Sequence, residues 1–176
     1  GRVIDSVEGI ADLREIVVVT NHRFVEHFQR WADTRRSSSS REIRVIDDGS
    51  TSNENRLGAL GDLKLAVDVL VERGLDQPVL VLAGDNLFDF DLSDLAVFAG
   101  ERESDCITAH RQDDVEALRR TGVVELSHDN RVLSFAEKPA EPKSTWAVPP
   151  VYVYRPETLK VDLPIFLSEE NESDAP

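Results

Sequence analysis

A carboxylate lying one residue past the end of an apolar run is the first place in this sequence where chemistry could sit. Pro78-Val79-Leu80-Val81-Leu82-Ala83 is followed at once by Gly84-Asp85-Asn86. In open α/β sheets ligands bind outside the carboxyl ends of the strands, and Gly84 frees the backbone to turn there. Asp85 is thereby placed to hold Mg²⁺, which takes oxygen ligands and keeps water and substrate phosphates in its other positions. A plain Gly-Asp-Asn turn accounts for the same three residues. Asp89-Phe90-Asp91 follows as a second, closely spaced carboxylate pair. Such a pair can hold a metal, but helix capping by Asp91 explains part of it equally well.

Glu137-Lys138-Pro139 combines two complementary groups. A Glu accepts hydrogen bonds from sugar hydroxyls, and a Lys neutralises a phosphate as a point charge. Lys143, in Pro142-Lys143-Ser144, is a second cation nearby. The plainer reading of Glu-Lys-Pro is a solvated charge pair ended by a proline. A third candidate is the polar loop Thr51 to Ala59. Asn53 and Asn55 offer amides that can read the edge of a base, Gly58 lets a flat ring approach the backbone, and a helix N-terminus favours an anion. Capping by Ser52, Asn53 or Asn55 is the bland alternative. His22 and His110 lack metal-ligand spacing, and His128 belongs to a turn. Phe24, Phe28 and Trp31 read as core packing, and Cys106 as a buried small hydrophobe.

These residues need elements to position them. Glu15 to Thr20 is a continuous β-branched run, the mark of a strand buried on both faces. Asn21 can cap a following helix that carries Phe24, Phe28 and Trp31 on one side. Ser37 to Ser40 reads as a flexible loop. Ile43 to Ile46 is a second strand, Leu57 to Arg73 a helix stopped by Gly74, and Pro78 to Ala83 a third buried strand. An acidic helix near Leu92 to Phe98 leads to a strand candidate at Cys106 to Ala109. This β-α-β-α-β-α-β order predicts a parallel sheet flanked by helices. Gly122 to Ser127, a His128-Asp129-Asn130 turn and Val132 to Phe135 predict an antiparallel hairpin, with a further extended segment from Trp146 to Tyr154 despite Pro149-Pro150. The expected fold class is α/β, a mixed, mostly parallel sheet with an antiparallel extension.

Composition narrows the partners. The chain has 176 residues, with 20 Lys+Arg against 34 Asp+Glu and a formal net charge of −14. A surplus of acid argues against nucleic acid and anionic membrane surfaces, both of which select clustered Lys and Arg. One cysteine can form neither an internal disulfide nor a cysteine-based zinc site, so a reducing compartment is expected. No apolar stretch approaches the roughly 18–20 residues of a membrane span. Without a visible signal peptide, the expectation is a cytoplasmic protein folded as one domain over residues 1–176.

Taken in order, Asn53 to Gly58 before a helix, the strand ending in Gly84-Asp85-Asn86, Thr121-Gly122-Val123-Val124-Glu125, Glu137-Lys138-Pro139 and Pro142-Lys143-Ser144 with Ala147 resemble the sugar-phosphate nucleotidyltransferases. The likeness is to their glucose-1-phosphate thymidylyltransferase and uridylyltransferase branch, over about Ile4 to Leu159. It implies a Rossmann-like nucleotide-diphospho-sugar transferase fold and attack of a sugar 1-phosphate on the α-phosphorus of a nucleoside triphosphate, dTTP or UTP with glucose 1-phosphate. The resemblance assigns Mg²⁺ to Asp85, the nucleotide to Asn53, Gly58 and Gly84, and the sugar phosphate to Gly122, Glu137 and Lys138, with Asp85 and Lys138 catalytic. It also implies a homo-oligomer.

There are departures. The family's leading G-x-G-T-R loop and its Lys, which cradle the triphosphate, have no counterpart in these residues, nor has a second metal-binding Asp expected beyond Pro176. Asn53 stands where a Gln is common, Arg56 where a Pro is, and Thr121 where a Tyr is. The expectation is a catalytic domain lacking its N-terminal loop and C-terminal end. Two other readings are a non-catalytic paralogue that binds nucleotide or nucleotide-sugar, and a glycosyltransferase working through Asp89 and Asp91.

Overall fold

The computed structural model describes residues 2–36 and 41–169, so the Ser37 to Ser40 loop lies outside the described residues. The chain begins with helix α1 (Arg2–Val7) and strand β1 (Glu15–Thr20), continues through α2 (Val25–Arg36) and β2 (Glu42–Asp47), then α3 (Gly58–Glu72) and β3 (Val79–Leu82). Helix α4 (Leu92–Arg102) leads to the short strands β4 (Cys106–Ile107) and β5 (His110–Arg111) and to α5 (Val115–Leu118). The hairpin follows as β6 (Gly122–Leu126) and β7 (Val132–Glu137), then β8 (Trp146–Val148), β9 (Val151–Tyr154), a π-helical turn (Thr158–Asp162) and α6 (Leu163–Glu169).

The local signals work as expected at several ends. The Asn21 side chain accepts from the Phe24 N–H at 3.2 Å ahead of α2. Asp91 caps α4 by accepting from the Ser93 N–H at 2.8 Å, a structural duty for one half of the Asp89/Asp91 pair. Asn130, in the hairpin turn, takes φ 61°. At α3 the expected side-chain cap does not form. Leu57 occupies the N-cap position without a side-chain hydrogen bond, and Gly58 enters the helix at φ 74°. Asn55 instead ties the preceding loop together, its side-chain oxygen accepting from the N–H groups of Thr51 and Ser52 at 3.0 and 2.9 Å.

The mixed α/β architecture is present, with parallel pairing confined to β1 and β2 among the described residues. Strand β9 returns antiparallel and sits between β3 and β4, while β5, β8, β6 and β7 form a second antiparallel layer in that order. Pro149-Pro150 is what divides the extended segment into β8 and β9. Proline cannot donate to a ladder, so the chain leaves one sheet and joins the next there. The Pro150 carbonyl accepts from the Ala83 N–H at 3.3 Å, tying this crossing to the end of β3.

The cores follow from this arrangement. Val7 and Ile10 pack with Leu92, Leu95, Cys106 and Val151 on one face, where Leu80 and Leu82 also turn. Val67, Leu75, Leu159 and Leu163 form the other, with Val79. Successive residues of a strand face opposite ways, so β3 has helices against both faces. Cys106 is buried as expected, and burial pushes its thiol pKa up. Strands β1 and β3, expected to be fully buried, are half-buried at every position. The physical reason is pairing along one edge only among the described residues, with residues of both strands lining a common cleft of about 1760 Å³. Phe28 and Trp31 line that cleft and Phe24 is exposed, instead of all three packing into the core.

Candidate functional site

The carboxyl end of β3 delivers Gly84, Asp85 and Asn86 to the rim of this cleft, where all three form part of its wall. The turn is closed by the Asn86 N–H donating to the Ala83 carbonyl at 3.3 Å. Asp85 is exposed. Gly84 is not required by the turn, since its φ is not positive and an added Cβ would meet nothing within 4 Å. What its missing side chain preserves is open space over the cleft.

The second group lies on the hairpin layer. Gly122 stands directly across from Glu137 in the β6–β7 register, and across from Val148 on the other side. A Cβ on Gly122 would lie 2.8 Å from the Phe135 ring and 3.3 Å from Glu137 Oε2, so glycine is what lets the end of the hairpin close. Lys138, the next residue, takes φ 44°, a left-handed conformation unfavourable for a long side chain. Its N–H donates to the Thr121 carbonyl at 3.1 Å, and its Nζ lies 3.2 Å from Glu137 Oε1. Lys138 is exposed while Glu137 is half-buried, so the pair contributes little to stability through its charge alone.

Tyr152 was not among the residues singled out from sequence. It lines the cleft beside Pro150, and its phenol pKa is raised, first by burial and then by the nearby negative charge of Glu137. The alternation Val151-Tyr152-Val153-Tyr154, with both valines buried and the tyrosine rings stacked at 5.8 Å, was the available signal. A second unsuspected residue is Asp62, on the cleft side of α3. Its carboxyl is pushed up by burial and then by the charge of Asp48. Asp62 Oδ1 is buried with no hydrogen-bond partner among the described residues, as is Asn86 Nδ2.

Asn53 and Gly58 stand elsewhere. Asn53 is exposed in the loop ahead of α3, Gly58 opens that helix, and neither lines the cleft, whereas Ala59 one residue on does. The structure thus brings Gly84 and Asp85 to one cleft, sets Gly122, Glu137 and Lys138 around the end of the hairpin, and leaves Asn53 and Gly58 outside the cleft lining. Nearby, at the ends of β1 and β2, His22 Nδ1 and Asp47 Oδ2 are 2.6 Å apart. Their hydrogen bond raises the His22 pKa and lowers that of Asp47.

The donor set bears on a metal. Among the described residues no group of three or more His, Cys, Asp or Glu side chains converges. Mg²⁺ does not need one, because it is commonly held by one or two carboxylates together with substrate phosphates. An exposed carboxylate at the mouth of a large cleft fits that mode.

Comparison with known proteins places this geometry. The chain is 32% identical over 94 residues to a glucose-1-phosphate adenylyltransferase of Clostridium novyi, covering 53% of this chain and 24% of that protein. It is 31% identical over 97 residues to the enzyme of that name from Thermotoga maritima, covering 55% and 22%. The chain thus spans about a quarter of the length of these curated relatives. A crystal structure described as a candidate glucose-1-phosphate thymidylyltransferase from Bacillus anthracis, in complex with a sucrose, superposes with a TM-score of 0.67 at 21% identity, covering 99% of this chain and 63% of that one. That likeness establishes a shared fold. The nucleotidyl transferase family model matches residues 6–175, nearly the whole sequence, and the chain belongs to that family.

Proposed function

We propose that the protein transfers a nucleotidyl group from a nucleoside triphosphate to glucose 1-phosphate, releasing pyrophosphate and forming a nucleotide-diphospho-glucose in a Mg²⁺-dependent reaction. The observation that carries this reading is the cleft itself, with Asp85 on its wall at the carboxyl end of β3 and Tyr152 lining it near the charge of Glu137. Phosphoryl-type transfer depends mainly on positioning and charge neutralisation, and the residues divide along those lines. Glu137, half-buried and held by Gly122 and Lys138, presents a carboxylate to sugar hydroxyls. Lys138 brings a local cation for a sugar phosphate to an acidic protein. Asp85 would hold Mg²⁺, which when bound supplies charge neutralisation at the phosphates.

Glucose 1-phosphate is common to the names of the sequence relatives and of the structural neighbour. The nucleobase is not. The motif resemblance favours dTTP or UTP, whereas the curated relatives are named for adenylyl transfer. The test is pyrophosphate release by the protein with Mg²⁺, glucose 1-phosphate and ATP, dTTP or UTP in turn. Release that requires both substrates and is lost on chelation supports the proposal, and the preferred triphosphate assigns the base. Nucleotide binding without release would point to a non-catalytic paralogue. Transfer of sugar from a nucleotide-sugar, dependent on Asp89 and Asp91, would replace the reading with glycosyl transfer.

A further inference from the structure

The antiparallel layer has two unlike faces. Residues directly opposite one another on neighbouring antiparallel strands share a face. Val123 and Ala147 are such a pair, and with Leu118 of α5 they form a small buried cluster on one side. The other side carries two rows of side chains. Trp146, Val124 and Phe135 cross β8, β6 and β7 in the first, and Val148, Gly122 and Glu137 do so in the second. Along the first row Val124 is 0% exposed, yet Phe135 beside it remains 50% exposed. At the other end the Trp146 ring is covered by Arg111, whose guanidinium lies 5.0 Å from its centroid. Among the described residues no cation or second ring stacks on Phe135.

Part of the Phe135 ring has a structural duty. An aromatic side chain commonly covers a glycine on the neighbouring strand, and Cζ and Cε2 of Phe135 would lie 2.8 and 2.9 Å from a Cβ at Gly122. That packing accounts for the covered edge of the ring and not for the half left in water. Glu137 Oε2 comes within 3.3 Å of the same point, and Lys138 Nζ lies 3.2 Å from Glu137 Oε1. An open apolar ring, a carboxylate and an ammonium group therefore meet at one end of the hairpin. A pyranose phosphate is the complement of that set. Its C–H faces pack on an aromatic ring by dispersion and hydrophobic burial, its hydroxyls donate to a carboxylate, and its phosphate accepts from a cation.

We propose that Phe135 is the platform on which the sugar ring of the substrate lies, and that it selects glucose 1-phosphate among sugar 1-phosphates. This inference rests on the function proposed above and adds a residue and a selectivity to it. In α-glucose 1-phosphate the phosphate stands axial on one face of the ring and every hydroxyl is equatorial. The opposite face is therefore all C–H, and laying it on Phe135 turns the hydroxyl edge toward Glu137 while keeping the phosphate clear of the phenyl ring. Galactose and mannose 1-phosphates of the same anomeric form each carry one axial hydroxyl on that opposite face. Stacking presses this hydroxyl against the ring and strips its water without supplying a hydrogen bond.

The three sugar 1-phosphates test this with the wild-type protein, Phe135→Leu and Phe135→Tyr. Leucine keeps apolar bulk over Gly122 but removes the flat ring, and tyrosine retains it. Binding is followed by NMR of the ligand C–H protons, and turnover by pyrophosphate release. In the wild type, protons on the face opposite the phosphate should shift upfield, and kcat/KM should favour glucose 1-phosphate by about tenfold or more. Phe135→Leu should abolish the shift, raise KM for glucose 1-phosphate about fivefold, leave KM for the triphosphate unchanged and shrink the preference. Phe135→Tyr should keep both shift and preference. Glucose 1-phosphate bound and turned over equally well by Phe135→Leu overturns the platform and leaves the proposed activity standing. Equal losses for all three sugars, with no upfield shift in the wild type, also overturn it and reduce Phe135 to a packing partner of Gly122. Failure of the wild type to bind or turn over any of the three overturns the platform and the proposed activity together.

Discussion

Two β regions of this molecule carry the same sequence signature and end in different surroundings. Ile16 to Val19 and Val79 to Leu82 are unbroken aliphatic runs, yet every residue in them is half-buried. Val123, Val124, Ala147, Val148, Val151 and Val153 are no more than 4% exposed. The difference is the number of neighbours. Strands β6, β8 and β9 are each paired on both edges, whereas β1 and β3 have one paired edge apiece. Aliphatic composition records how much burial a strand is suited to, while the sheet around it decides how much it receives. The proposed site residues lie on both regions: Gly122 and Glu137 pair across β6 and β7 of the antiparallel sheet, and Asp85 follows the end of a strand that borders the opening.

Five substitutions would break or sharpen this contrast. The largest effect is expected on the cleft side, from Asp85→Ala. Losing the carboxylate proposed to hold Mg²⁺ should lower kcat by about 100-fold or more, read as pyrophosphate release with folding checked by circular dichroism. Retained turnover would remove Asp85 from the site. Next, Leu92→Ala in the filled core, at 0% exposure, should cost about 2–5 kcal/mol in urea unfolding. Val18→Ala on the cleft wall should cost less than about 1 kcal/mol, and equal losses would erase the distinction between the regions.

On the antiparallel side, Lys138→Ala should raise KM for glucose 1-phosphate by about tenfold with a smaller change in kcat, the loss of one charge-assisted contact. An unchanged KM would reduce Lys138 to a surface partner of Glu137. The smallest effect concerns the exposed His22–Asp47 pair. Its contribution is present below the unfolded His value of 6.5 and lost as pH rises through the raised His22 pKa. At the acid end it is present above the unfolded Asp value of 3.8 and lost as pH falls through the lowered Asp47 pKa. Asp47→Asn should therefore bring the His22 titration, followed by NMR, down toward 6.5, and an unmoved titration would contradict the hydrogen bond.

Much of this was legible before any coordinates. The helix over Leu57 to Arg73 and the hairpin at His128 to Asn130 follow from periodicity and turn chemistry, which are local. The cap at Asp91 is also local, and it shows that one carboxylate of the Asp89/Asp91 pair is engaged in structure. Tyr152 and Asp62 were missed because their significance is long-range. Nothing near Tyr152 in sequence reveals that Glu137 charges its surroundings, and Asp62 looks like an ordinary helix carboxylate until α3 turns it toward Asp48 and the cleft. The cap expected at Ser52, Asn53 or Asn55 failed for a related reason, since Asn55 satisfies its own loop instead.

By itself, the sequence determined the segments that become β1, β2, β3 and the β6–β7 hairpin, the helices α2 to α4 and the α/β architecture, but not α1, α5 or α6. Those properties depend on side-chain periodicity and on residue types a few positions apart. Tertiary structure alone decided that β9 enters between β3 and β4, that Gly122 must make room for Phe135, and that Asn53 lies apart from Asp85. It also decided that two strands composed for a sheet interior face an opening. Each of these depends on which edges and faces meet across the fold, and a run of aliphatic residues contains no record of its partner.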